Sequence, residues 1–518
     1  MAGPAPVERS VPPLTDASAE LEAAPPAPHL EGPPDLDDYA WTQSKEHPRN
    51  WEQARKWRNT LVIATTGCLS TMSSSIIVPG LTAIQKEYGV SHEVVTLLSG
   101  LYVLGLGFGP SVFAPISELY GRQPAYVSSM VGFTLMHLAS CFIKNLPGLK
   151  LVRFLSGFFG SSAPSLGVAT ISDLFRPEER ARPIAVYSIG PMLGPVIGSL
   201  LGSYLNLLHH VPGTPSSQSW RWPLRVMTII VGLNTLALWL GMRETYESVV
   251  GRGWRRERRR VRREKEGRER DGESSFKDEA RKVLRRTFSR PPRLLMNPVC
   301  ALFGLYSAYA YSMTYVFLVS LPLLYAKHTP PTGLFTYAWP ATTTGLPYLA
   351  LAVGFLCSSL TIGIFQDRLY GALSARHGNS GQPEYRLVIT QIGMLVFPLG
   401  LLVWGWTAQA QTHWMGPFVG SAIFAYGIQL TFNTIQNFIV DAFSPYSAAA
   451  IASATLLRSV AGGVLPIFSD QLFLNLGYGW GGTLLACVAV PAIPAPAVLF
   501  WTGGRLRERW RFVEGKEG

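Results

Sequence analysis

Charge is scarce in this sequence. Asp, Glu, Lys and Arg make up 15% of its 518 residues, against roughly a quarter in an ordinary soluble protein, which excludes a soluble multidomain chain. Cysteine is scarce too. The five present (Cys68, Cys141, Cys300, Cys357 and Cys487) stand singly in or beside apolar segments. No two have metal-ligand or disulfide-framework spacing, and they read as small buried hydrophobes. The chain has no Asn-x-Ser/Thr sequon and no glycine-rich Walker loop, so ATP drive is not expected. No His–carboxylate cluster and no nucleophile–base pair falls at a shared depth of the apolar segments, so no metal, cofactor or catalytic residue is expected. Asp and Glu are also missing from the middle of every apolar run; Asp173, Asp441 and Asp470 stand near the ends.

What is there is hydrophobic length. Hydrophobic residues make up 47% of the chain, and many runs approach the ~20 residues a helix needs to span a hydrocarbon core. Twelve spans are expected at 58–80, 94–115, 124–143, 149–171, 181–205 and 222–242, then 298–322, 337–363, 386–406, 415–440, 446–471 and 478–502. Residues 1–57 read as a Pro-, Ala- and acid-rich tail without signal-peptide character, ending in the basic, Trp-bearing stretch HPRNWEQARKWRN at the interface. The first six spans, 58–242, and the last six, 298–502, are separated by a loop at 243–297, and 503–518 form a second tail. ELYGR at 118–122 and DRLYG at 367–371 echo one another after spans two and eight, which suggests duplicated halves.

Cations cluster on alternate loops: Arg49, Arg55, Lys56 and Arg58, then Arg122, then Arg176, Arg180 and Arg182, then the long loop, Arg368 with Arg376, and RLRERWR at the end. The positive-inside rule puts both termini in the cytoplasm. The formal charge of +12 is concentrated in residues 243–293, which hold sixteen Arg and three Lys against ten carboxylates. A loop beside anionic headgroups accounts for that cluster without a nucleic-acid partner.

Several short stretches carry a resemblance: HPRNW, GPSVFAPISELYGRQP, RFLSGFFGSSAPSLG, SDLFRPEERARP, GPMLGPVIGSLLGSYL, WRW, RETY and DAFSPYSAAAIASATLLRS, spread over residues 48–502. The chain resembles a major facilitator superfamily transporter of the fungal drug:proton antiporter type with twelve spans. The resemblance implies an all-α membrane protein whose transmembrane helices form two pseudo-symmetric six-helix bundles. It also implies a monomer that exports a small organic compound (a drug, toxin or secondary metabolite) in exchange for protons, by alternating access, across the plasma membrane or a vacuolar one. The readings set against export are an uptake carrier of the same fold and a non-transporting sensor or membrane-embedded enzyme.

In SELYGRQP, Gly121 permits a tight reversal and Pro124 suits the first turn of the next helix. The resemblance makes this turn a latch, in which Glu118 faces the positive end of a second-half helix and Glu118, Arg122, Asp173 and Arg180 form one network. Ala114 and Leu119 depart from the wider superfamily pattern. In span five, Gly190, Gly194, Gly198 and Gly202 recur every four residues and share a helix face, while Pro191 and Pro195 favour a kink. The resemblance is to the antiporter signature, with Ser199 and Ser203 as departures.

Arg153 lies inside span four, where a cation is costly. It is either a proton-coupling residue, as the resemblance implies, or a packing anchor bonded to carbonyls. Gln429, Asn433, Gln436 and Asn437 share one face of span ten, lining a wet cavity or bonding to neighbouring helices. Tyr306, Tyr309, Tyr311 and Tyr315 of span seven offer aromatic surface, and Thr66, Ser70, Ser73 and Ser74 of span one offer hydroxyls. Asp173, Glu118, Asp441 and His137 are the candidates for the titrating group. With Arg153 and Arg458 embedded and no mid-depth acid, neutral or anionic substrates fit more easily than polyamine-like cations.

Overall fold

The computed structural model describes residues 41–176, 179, 181–208, 220–251, 254, 293–326, 333–340, 343, 345–376, 382–443 and 447–509. The first 40 residues, most of the basic loop, Arg180 and the last nine residues lie outside the described residues.

The described chain is helical, with one isolated bridge between Ala326 and Trp339. An apolar chain without water must satisfy its backbone internally, and helices do so segment by segment. Eleven continuous helical runs among the described residues are long and apolar enough to cross a membrane. The first ten are α1 Gln53–Tyr88, α2 His92–Tyr120, α3 Arg122–Phe142, α4 Leu146–Leu174, α5 Arg182–Asn206, α6 Arg221–Gly241, α7 Pro298–Tyr325, α8 Tyr348–Arg376, α9 Pro383–Gln409 and α10 Met415–Ala442. The last run, Ala450–Arg505, has 56 residues, more than twice what a ~30 Å core requires. It comprises α11 Ser447–Val464, α12 Ser469–Ala489 and α13 Ala495–Arg509. Gly477, at φ 74° and ψ 172°, breaks α12 and turns the chain back. The run therefore crosses twice, giving twelve crossings with both described ends on one face, called here the basic face.

Local chemistry explains the boundaries. Asn297 caps α7, accepting from the backbone N–H groups of Val299 (3.0 Å) and Cys300 (3.3 Å), and Pro298 takes the first helical position. The stretch expected to lie as a separate interfacial helix is partly fused into α1, which starts at Gln53. Lys56 Nζ donates to Arg49 O at 2.7 Å, and the Arg55 guanidinium lies 3.7 Å from the Trp51 ring centre. These contacts hold the basic segment against the helix base.

Two cores divide the molecule. One joins buried residues from Trp51 to Met242; the other joins residues from Leu294 to Leu499, with Val103 and Val196 reaching in from the first half. The central windows of α1 and α7 are 78% buried, against 33% for α6, so the first helix of each half is central and α6 peripheral. On α6, Ile229, Leu233, Leu236 and Leu240 are exposed at offsets of four, seven and eleven, an apolar stripe suited to lipid. The halves meet along α2–α11 and α5–α8.

Candidate functional site

At the basic face, the reversal between α2 and α3 is organised by an ion pair and a helix cap. Arg122 Nε donates to Asp173 Oδ2 at 2.9 Å, and its NH1 donates to Ser117 Oγ at 2.9 Å. The guanidinium also lies 4.8 Å from the Tyr246 ring centre. The N-terminus of α3 points at Glu244, whose Oε1 accepts from Arg122 N (2.8 Å), Thr245 N (3.0 Å) and Tyr246 N (2.8 Å). Its Oε2 accepts from Gln123 N at 3.1 Å. A carboxylate at a helix N-terminus meets both orphan donors and the positive end of the dipole. Gly121, at φ 105°, makes this approach possible: a Cβ there would strike the Glu244 carboxylate.

The second half repeats the arrangement. Arg386 Nε donates to Asp441 Oδ2, and the Arg386 guanidinium lies 5.1 Å from the ring centre of Tyr370. Arg386 stands at the start of the main α9 helix as Arg122 does in α3, and Asp441 ends α10 as Asp173 ends α4. Each half thus carries an arginine, an aspartate and a tyrosine ring at its basic face.

Deeper in, the two bundles meet in a buried polar and aromatic cluster. Arg153 is 1% exposed. Its NH2 donates to Ser73 O at 2.9 Å and Ser74 O at 3.3 Å, and its Nε to Leu98 O at 3.4 Å. The Tyr102 ring centre lies 4.6 Å from its guanidinium carbon. His137 Nε2 and Ser73 Oγ are 2.7 Å apart. Tyr315 crosses from the second bundle, donating to Ser74 Oγ at 3.0 Å, and its ring centre is 5.2 Å from that of Tyr311. Arg458 lies 5.2 Å from the ring centres of both Tyr311 and Phe432. A mid-depth arginine costs about 2.5–3.5 kcal/mol on insertion scales; carbonyls and ring faces offset part of that here.

The face opposite the basic one is closed. His92 Nε2 meets Asp470 Oδ2 at 3.0 Å, and Gln471 Nε2 donates to Glu93 Oε1 at 3.1 Å, both across the bundles. Below them the backbones of Gly100 and Gly463 touch, and Gly345 packs on Ser203.

The other expected residues distribute as follows. Gly190, Gly198 and Gly202 lie against the carbonyls of Ala64, Met72 and Ile76, with Gly194 on Thr71 and Cys68, so the stripe seats α5 on α1. Pro191 packs on Gly67, and the carbonyl of Pro195 accepts from Ser75 Oγ at 2.6 Å. Asn433 faces Met192 of the first bundle, 3.9 Å from its sulfur, whereas Asn437 donates to Gln366 Oε1 at 3.3 Å within its own bundle. Gln429 is buried and Gln436 half-buried.

Glu118 is exposed at the basic face; the carboxylate on the N-terminal N–H groups of α3 is Glu244, which the sequence reading did not single out. Tyr306 and Tyr309 turn into the second bundle, against Phe397, and the Tyr309 hydroxyl donates to Leu485 O. Tyr306 and Tyr311 differ by five residues, about 140° around a helix, so the later pair reaches the bundle interface.

Twelve apolar crossings and two cores that meet in a buried polar cluster define the class: a multi-pass membrane transporter. Residues 63–466 match the model of the Major Facilitator Superfamily, and the chain belongs to that family. It is 31% identical to the MFS transporter cpaT of Aspergillus oryzae, covering 92% of this chain and 93% of that one. It is also 31% identical to the efflux pump radE of Floropilus chiversii, over 93% and 86%. A structure of the xylose transporter XylE from E. coli in a partially occluded inward-open conformation shares the fold. Its TM-score is 0.59 at 13% identity, over 86% of this chain and 99% of that one.

Proposed function

We propose that this chain exports small organic compounds by alternating access, driven by proton entry, with the basic face in the cytoplasm of a plasma-membrane protein. The observation that carries the reading is the asymmetry of the bundle contacts among the described residues. His92–Asp470, Glu93–Gln471 and Gly100–Gly463 join the bundles toward the face opposite the basic one, and Gly107–Ser459 and Met192–Ser359 join them at mid-helix. With the basic face cytoplasmic, this arrangement is inward-facing, the state that loads an exporter from the cell interior. Export is supported further by the glycine stripe of α5 and by relatives that include a named efflux pump.

Alternation requires the seam at the opposite face to open while the basic face closes. Arg122–Asp173 and Arg386–Asp441 then act as two latches, each stiffening the base of one bundle so that it rocks as a unit. A helix-terminus carboxylate such as Glu244 contributes about 0.3–1 kcal/mol, up to about 2 when partly buried, enough to bias a balance of a few kcal/mol. His137, Asp173, Asp441 and Glu118 remain the groups available for the proton.

The test is transport by sealed vesicles from a deletion strain carrying the gene on a plasmid. With the basic face outward and the interior acidified, a fluorescent organic substrate should accumulate, and an uncoupler should abolish it. Gradient-driven movement in the opposite direction would establish an uptake carrier instead.

A further inference from the structure

We infer that the polar cluster between the bundles binds the anionic group of a flat organic acid, held between Arg153 of α4 and Arg458 of α11. The inference names the substrate class for the transport route just proposed and so rests on that reading.

Four observations meet here. First, neither arginine forms an ion pair with a carboxylate among the described residues, whereas Arg122, Arg221 and Arg386 each do. Among the described residues the positive charge of this cluster is left unmatched. Second, both guanidiniums keep a buried nitrogen without a hydrogen-bond partner, NH1 of Arg153 and Nε of Arg458. A buried donor without an acceptor is costly, and a carboxylate or phenolate supplies the missing acceptor with matching charge. Third, Arg153 is held rigid by the carbonyls of Ser73, Ser74 and Leu98, so its free nitrogen is preorganised.

Fourth, the walls are aromatic. Tyr102 lies under Arg153, while Tyr311 and Phe432 flank Arg458. The Phe432 and Tyr311 rings are near parallel, at 27° with centres 6.1 Å apart. A planar ring entering beside them stacks as they do. The arginines also belong to different bundles, bridged by Tyr315 and Ser74. An anion between them contacts both bundles together, which gives it differential affinity for the occluded state, as a transported substrate needs. The open clefts of about 430 and 440 Å³ lie elsewhere, along α7 and α12 and along α8 and α9. They are lined mainly by apolar side chains and include neither arginine.

The experiment uses the purified full chain in detergent, where neither a gradient nor a direction of transport enters. Thermal stabilisation is measured with benzoate, 1-naphthoate and 2-anthracenecarboxylate, each beside its amide and its aminomethyl counterpart, and with sodium chloride at equal concentration. The acids are expected to stabilise the wild type at least about tenfold more tightly than the amides, with the amines inactive. Arg153→Gln and Arg458→Gln should each weaken the best acid by about ten- to hundredfold, the scale of one charge-assisted bond, while leaving its amide unaffected. Arg458→Lys should recover part of the affinity. Equal binding of amides or amines, stabilisation by chloride alone, or no stabilisation by any acid overturns the inference, and the wild-type comparison decides even if the variants fail to fold. Failure of export in the vesicle assay with intact acid binding would instead remove the directional reading alone.

Discussion

Replacing Gly463 by alanine should drive the protein out of the conformation seen here. Gly463 ends α11 beside Gly100 of α2, and a Cβ on it would lie 2.7 Å from the Gly100 carbonyl oxygen and 2.9 Å from Leu104 Cγ. A carbon resting on a carbonyl oxygen normally keeps about 3.3–3.6 Å, so the seam must part by roughly 0.6–0.9 Å. One of the opposing atoms belongs to the backbone, so rotamer change alone does not relieve the clash. Overpacking of this kind costs about 1–3 kcal/mol. Alanine also raises helix propensity over glycine, but α11 is expected to stay helical whichever way the molecule opens, so that gain cancels between the two states. At 1.4 kcal/mol per factor of ten, the closed seam loses about five- to 150-fold in population relative to the open one.

The assay is cysteine accessibility in detergent, with the five native cysteines replaced and a reporter at Ser203, which is buried against Gly345 in the other bundle. Maleimide labelling of that reporter should accelerate strongly in the Gly463→Ala protein, and more so in Gly100→Ala, whose new methyl would overlap the Gly463 carbonyl oxygen. Gly232→Ala serves as a control, because its nearest neighbour is the Thr134 methyl at 3.7 Å. A well-folded Gly463→Ala protein that labels at the parental rate would show that the α2–α11 seam is not what opens.

Four further outcomes follow from the same geometry. Asp173→Asn leaves the buried Arg122 guanidinium without its carboxylate and should cost about 3–5 kcal/mol, read as a lowered Tm; a cycle with Arg122→Gln should return a coupling of about 1–3 kcal/mol, and strict additivity would argue against the pair. Glu244→Gln turns an acceptor into a donor against backbone N–H groups that already donate, so Tm should fall by an amount equivalent to about 2 kcal/mol. Asp470→Asn should loosen the seam opposite the basic face and raise labelling at Ser203 without altering Tm appreciably, since the pair with His92 is partly exposed. Tyr315→Phe removes the hydroxyl that bridges to Ser74 and should shift labelling in the same direction by less than the Gly463 substitution.

Hydrophobic length made the architecture legible, because a run of about 20 apolar residues has few alternatives in lipid. In the final run helix continues nearly unbroken from Ala450 to Arg505, yet the spans expected at 446–471 and 478–502 leave a gap that ends at Gly477, where the chain turns back. The glycine stripe of α5 was legible for a related reason: a four-residue period commits one face to close contact, whatever the partner helix. Pairing was harder to read. Arg122 and Asp173 are 51 residues apart, and Glu244 reaches Arg122 across 122, so nothing local links them. RETY stood in the sequence as a short motif without a role because its function is to meet a helix end that only the fold brings to it. Arg386 was missed although the duplication pointed to it, since the echo between ELYGR and DRLYG does not extend to the start of α9.

The duplication is what gives these pairs mechanical meaning. If Arg122–Asp173 were simply a local staple, the second half would have no reason to place Arg386 and Asp441 in the same relation. The likeness holds even though the tyrosine ring beside Arg386 comes from α8 and the one beside Arg122 from the segment after α6. Both pairs lie within a bundle, so in the proposed mechanism they stiffen each half rather than joining the two. The cross-bundle contacts among the described residues are of a weaker kind: close packing at glycines, a partly exposed His–Asp pair, the Glu93–Gln471 hydrogen bond, Asn433 and Ser359 against the Met192 sulfur, and one tyrosine hydroxyl. Strong bonds inside rigid halves and weak ones between them are what a rocking movement requires, because the contacts that must break in each cycle are then the inexpensive ones. The unmatched arginines sit beside one of those weak contacts, the Tyr315–Ser74 bridge, where a bound anion would have leverage on whether the halves stay together.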